Sequence, residues 1–116
     1  MRDSLYFTEQ HLAVREMVRA FARDEVAPVA KRLDDTQEFP WENVRKMGEL
    51  GLLGIPWPES LGGAGLDIIS FIIAIEELAR VDASHSITIS AHTTLGTSPI
   101  VNFGTQAQKE RYVPLL

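Results

Sequence analysis

The chain has 116 residues, enough to close one hydrophobic core and little more. Apolar residues are 45% and charged residues 23%, with a mean hydropathy of −0.02. That composition excludes a disordered chain. It has no cysteine, which removes disulfide scaffolds, thiol nucleophiles, iron–sulfur clusters and cysteine-held zinc together. Eleven basic against sixteen acidic residues leave a net charge of −5 with no basic patch, so nucleic acid is not an expected ligand. No apolar run approaches the roughly 20 residues of a membrane span. The N-terminus carries neither a secretory apolar segment nor an Arg/Ser-rich leader, and a cytoplasmic location is expected.

The first element starts at Thr8, a suitable N-cap, with Glu9 in its first turn. Val14, Met17, Val18, Phe21, Ala22 and Val26 follow at three- and four-residue steps, the stripe of an amphipathic helix. Arg15, Arg19 and Arg23 share one face off that stripe and read as a solvated row. Pro28 marks either a kink or the start of a short second helix ending near Leu33. The polar segment 34–40 reads as a loop. A short helix over 41–50 carries Val44 and Met47 on one side, and Gly51 stops it. Segment 52–66 holds two prolines, Pro56 and Pro58, and four glycines, and cannot be regular helix. Its apolar residues Leu52, Leu53, Ile55 and Trp57 place it against the body.

Asp67 caps the next helix, 68–79, which is apolar on nearly every side and must be covered on nearly every side. Glu76 and Arg80 stand at i,i+4 as an ion pair. Asp82 or Ser84 caps a further helix toward Leu95, rich in small hydroxyl residues, with a strand over 86–90 as the alternative. Gly96 and Pro99 punctuate it, and 100–103 forms a short apolar turn before Gly104. Thr105 and Gln108 match a capping box for a last helix through Tyr112, ended by Pro114. The chain is therefore all-α: five or six helices in one domain, residues 1–116, with a long Gly/Pro loop in the middle.

The order of these signals resembles the N-terminal domain of the flavin-dependent acyl-CoA dehydrogenases. The resemblance rests on Phe21-Ala22-Arg23, Val26-Ala27-Pro28 and Phe39-Pro40. It continues through Met47-Gly48-Glu49-Leu50-Gly51-Leu52-Leu53-Gly54-Ile55, Pro58-Glu59 and Gly62-Gly63-Ala64-Gly65. Glu76-Glu77-Leu78-Ala79-Arg80-Val81-Asp82-Ala83-Ser84 and Tyr112-Val113-Pro114 complete it. It implies α,β-dehydrogenation of an acyl-CoA thioester: a carboxylate base takes the α proton and the β hydride goes to FAD. In that family the base and most flavin contacts lie in a middle β domain and a C-terminal helical domain. The resemblance therefore implies no catalytic residue here, FAD in the parent enzyme but not on this fragment, an electron-transfer flavoprotein as partner, and a homo-oligomer. It also implies that 88–95 walls the fatty-acyl cavity. Thr88, Ala91, His92 and Leu95 fall at i, i+3, i+4 and i+7, one helix face, and are the expected substrate-binding residues.

Other candidates have plainer readings. Glu76 and Glu77 are adjacent and point about 100° apart, so they do not converge as an acid–base pair. Gly62–Gly65 lacks the strand and the spacing of a dinucleotide fingerprint, and reads as a turn. His11, His85 and His92 are too scattered for zinc; His11 reads as a surface residue. The Ser/Thr residues of 84–98 include no nucleophile elbow. Trp41 and Trp57 read as anchors in the core or at an interface. A rival of another class is a non-catalytic helical module, derived from the same domain, that binds an apolar chain or self-associates. An oxidase sharing the domain is a third possibility.

Overall fold

The computed structural model describes residues 5–116; the first four residues of the N-terminus read above for a leader lie outside the described residues. Its secondary structure is helical throughout: α1 (Glu9–Phe21), α2 (Ala27–Thr36), α3 (Trp41–Glu49), α4 (Ile68–Ala79), α5 (Ala83–Ala91), α6 (Ser98–Phe103) and α7 (Gln106–Tyr112). Two joins between helices are π turns, Ala22–Val26 and His92–Thr97. They fuse α1 with α2 and α5 with α6, leaving five continuous rods among the described residues. The strand alternative over 86–90 is not adopted.

Both π turns have one cause. Pro28 and Pro99 each stand one residue into the following helix. A proline ring inside an α-helix collides with the carbonyl four residues back and donates no N–H. Widening the preceding turn relieves the collision. Accordingly Ala27 N–H bonds to Ala22 and Ser98 N–H to Thr93, five residues back in each case. The helix continues past Pro28 to Thr36, where Gln37 turns left-handed with φ 57°. Segment 34–40 is thus helix for its first three residues. Gly96 and Pro99 do not break the second rod, and 100–103 is helical.

The other boundaries follow the caps. Thr8 accepts the His11 amide, Asp67 accepts that of Ser70, and Thr105 that of Gln108. Asp82, not Ser84, caps α5. Gly51, with φ 79°, ends α3. The core gathers Val14, Val18 and Phe21 of α1, Met47 of α3, Leu52 and Ile55 of the loop, and Phe71, Ala74, Leu78 and Ile89 of the α4–α5 pair. Loop 52–66 packs on the body, as its apolar residues predict.

Two polar clamps orient the rods. His11 is 4% exposed, so it is a buried residue and not a surface one. Its Nδ1 accepts the Thr8 amide at 3.1 Å, which leaves Nε2–H to donate to Asp67 Oδ2 at 2.6 Å. The N-caps of α1 and α4 are thereby joined. At the far end of the same pair, Glu77 lies buried and takes two bonds from Arg19, at 2.9 and 3.1 Å, with Arg15 and Arg80 at 3.8 and 3.5 Å. α1 and α4 therefore run parallel, pinned at both ends. The expected solvated arginine row is, for Arg15 and Arg19, this clamp. Arg80 reaches Glu77 in place of the expected Glu76 partner, because Glu77 points into the α1–α4 seam where the other guanidiniums already lie.

The resulting body is a slab of 41 × 41 × 19 Å. Its radius of gyration, 14.7 Å, exceeds the roughly 13 Å of a compact chain of this length. A flat body leaves apolar side chains outside. Ile68, Ile69 and Ile72 of α4, Ile87 of α5, Leu95 and Phe103 are all exposed.

Candidate functional site

The α5–α6 rod carries the four expected substrate-binding residues. Thr88, Ala91 and His92 are half-buried, while Leu95 is 75% exposed. The buried face of the rod runs through His85, Ser86, Ile89, Thr93 and Thr97, so Thr88 and Ala91 flank it. His92 opens the π turn, whose wider pitch rotates Leu95 out of the i+7 position that a regular helix would give it. Thr88 donates to the Ser84 carbonyl at 2.8 Å and lines a groove of about 300 Å³ with Phe39, Pro40 and Asp34. Ala91, His92 and Leu95 do not line that groove. The four lie along one rod without closing a pocket among themselves.

His92 Nε2 is buried without a hydrogen-bond partner. Burial depresses its basicity, so the ring stands neutral near pH 7. Ile87 and Phe103, which sequence reasoning does not single out, extend the exposed apolar surface on either side of Leu95 along the rod. Their signal was available: two large apolar residues off the buried stripe of a helix.

A second Asp–His pair, His85 with Asp82, has Ser84 between them in sequence and is structural. His85 is fully buried; its Nδ1–H donates to Asp82, and its Nε2 accepts from Asn43 Nδ2 at 3.1 Å. Asn43 also donates to the Glu25 carbonyl at 3.0 Å. Both ring nitrogens are engaged, so His85 has no free base to offer Ser84. What the relay does is tie α5 to α3 and to the first π turn.

The glycine run cannot cradle a phosphate. Its amides are spent internally: Gly62 on Glu59, Gly63 on Pro58, Ala64 on Gly54 and Gly65 on Trp57. This segment therefore supplies no donors for a flavin pyrophosphate. Among the described residues no three His, Asp or Glu side chains gather as a metal site would require. Nor, among those residues, is any helix long and apolar enough to cross a membrane.

These features define a class: a helical slab that presents apolar surface and small side chains. Residues 8–116 match the model of the acyl-CoA dehydrogenase N-terminal domain, and the chain belongs to that family. It is 50% identical over 109 residues to a short-chain specific acyl-CoA dehydrogenase of Clostridium acetobutylicum, covering 93% of this chain and 29% of the relative. It superposes on a chain from a structure of the electron transferring flavoprotein of Acidaminococcus fermentans with TM-score 0.91, at 38% identity, covering 97% of this chain and 30% of that one. It likewise superposes on acyl-CoA dehydrogenase complexed with FAD from Bacillus anthracis, with TM-score 0.87 and 37% identity, covering 95% of this chain and 19% of that one. The chain thus spans less than a third of the length of the relatives it matches.

Proposed function

We propose that the chain is the acyl-pocket wall of an FAD-dependent acyl-CoA dehydrogenase, an enzyme that removes the α proton and β hydride of an acyl-CoA thioester. The observation that carries this is the exposed apolar face of the α5–α6 rod. Ile87, Leu95 and Phe103 stand in solvent along the rod that also carries the small side chains of Thr88 and Ala91. Large exposed apolar groups favour a covering surface, and small ones leave room for a chain between. Thr88, Ala91, His92 and Leu95 face the acyl group; the base and the flavin come from the rest of the enzyme. The similar short-chain specific enzyme supports short acyl chains as substrates. The similar chain in the electron transferring flavoprotein structure supports such a flavoprotein as redox partner. The parent enzyme is a cytoplasmic homo-oligomer in this reading, and the exposed Ile68, Ile69 and Ile72 of α4 are covered by its other parts.

Anaerobic titration of the flavoprotein that carries this chain tests the reading. Butyryl-CoA should bleach the visible flavin band, and an electron-transferring flavoprotein should restore it. Binding of acyl-CoA without bleaching would favour the non-catalytic module. Reoxidation as fast by oxygen alone would favour an oxidase.

A further inference from the structure

A cavity of about 80 Å³ lies where three distant parts of the chain meet. Gly54, Trp57 and Gly63 come from the central loop, Thr97 from the second π turn, and Val113 and Pro114 from the C-terminal turn. Much of its wall is glycine main chain, so it is polar as well as small. Trp57 Nε1 is buried without a hydrogen-bond partner. Trp57 itself lines this cavity, and a Cβ placed on Gly54, another of its walls, would sit 3.9 Å from Trp57 Cδ1, the atom bonded to Nε1. Thr97 is 1% exposed, and its hydroxyl donates to the His92 carbonyl at 3.2 Å, so its oxygen keeps lone pairs for a second partner.

We propose that this cavity is a water site that joins the central loop to the π turn. One water accepts Trp57 Nε1–H and donates to Thr97 Oγ1. At about 30 Å³ per molecule there is room for one more, bonded to main-chain carbonyls. A buried indole N–H calls for an acceptor, and a space of this volume holds water. By holding Thr97, the water also holds the turn that carries His92 and Leu95. The site does not depend on any reading of the acyl pocket.

The test is nuclear magnetic resonance on ¹⁵N-tryptophan-labelled protein, with exposed Trp41 as internal control. The Trp57 indole proton should show a rotating-frame cross-peak to long-lived water and exchange at least tenfold more slowly than that of Trp41. Thr97→Val, which removes the hydroxyl and keeps the shape, should abolish the cross-peak. Trp57→Phe should remove bound-water density from the cavity in a crystal structure of the protein. Should Trp57→Phe fail to fold, the Thr97→Val spectrum decides alone. An indole proton that exchanges as fast as that of Trp41, or xenon filling the cavity in the unmodified protein, would overturn the proposal, since a dry cavity takes xenon and a wet one does not.

Discussion

Replacing Glu77 by glutamine removes one charge from the α1–α4 seam and almost nothing else. The carboxylate is 4% exposed and accepts two hydrogen bonds from Arg19, with two further guanidiniums within 4 Å. Removing one partner of a fully buried ion pair costs about 3–5 kcal/mol. Here the stranded cations are partly wet: the Arg19 side chain is 38% exposed and that of Arg80 60%. Water can recover part of their solvation, which brings the expected loss to about 2 kcal/mol. For a domain of this size that lowers the melting temperature by roughly 8–12 °C. The control is Asp24→Asn, whose pair with Arg23 is exposed on both sides and should leave the melting temperature essentially unchanged. The Glu77 carboxyl sits below its ordinary value of 4.5, held there first by the Arg19 hydrogen bonds. A lowered native value means that ionised Glu77 stabilises the fold. That stability is complete above 4.5 and drains away as pH falls through the lowered value. Urea melts from neutral to acid pH should therefore show the wild type converging on Glu77→Gln. Equal losses from Glu77→Gln and Asp24→Asn, or a gap that widens in acid, would refute the clamp.

His11→Ala should cost about 1–2 kcal/mol in a urea melt, because it breaks a capping box and the bridge to Asp67; a surface residue would cost nothing measurable. The Asp67 carboxyl, held down first by the Ser70 amide and then by His11, should titrate at about 2 in a carbon-detected experiment, and a value near 3.8 would contradict the bonded geometry. Gly63→Ala should destabilise by about 2–3 kcal/mol, since a Cβ there would lie 2.2 Å from the Trp57 carbonyl oxygen, a backbone atom that cannot step aside. Gly96→Ala meets open space and should raise the melting temperature by the equivalent of up to about 1 kcal/mol. Similar melts for the two glycine variants would show that the loop is not packed as described.

Helix starts were legible because a cap is a local event. Thr8, Asp67 and Thr105 each bind an amide three residues on, and nothing distant can alter that choice. The central loop was legible for the same reason. The two prolines misled because their effect is usually a break. A π turn that absorbs the ring is a property of the turn before the proline, and no residue type announces it. His11 and the arginine row were misplaced because burial is decided across the fold. The partners that draw them in, Asp67 and Glu77, lie 56 and 58 residues away from His11 and Arg19. Thr88, Ala91, His92 and Leu95 were placed on one face by regular helical spacing, and the π turn shifts the last of them.

The central claim is that the α5–α6 rod walls an acyl pocket, and Ala91→Phe in the flavin-loaded parent enzyme tests it most directly. A phenyl ring on that face should shorten the cavity and leave the chemistry untouched. The account predicts that kcat/KM for octanoyl-CoA falls at least about tenfold more than for butyryl-CoA, the scale of a few lost methylene contacts. An unchanged chain-length profile, with the variant folded and its flavin bound, would contradict it.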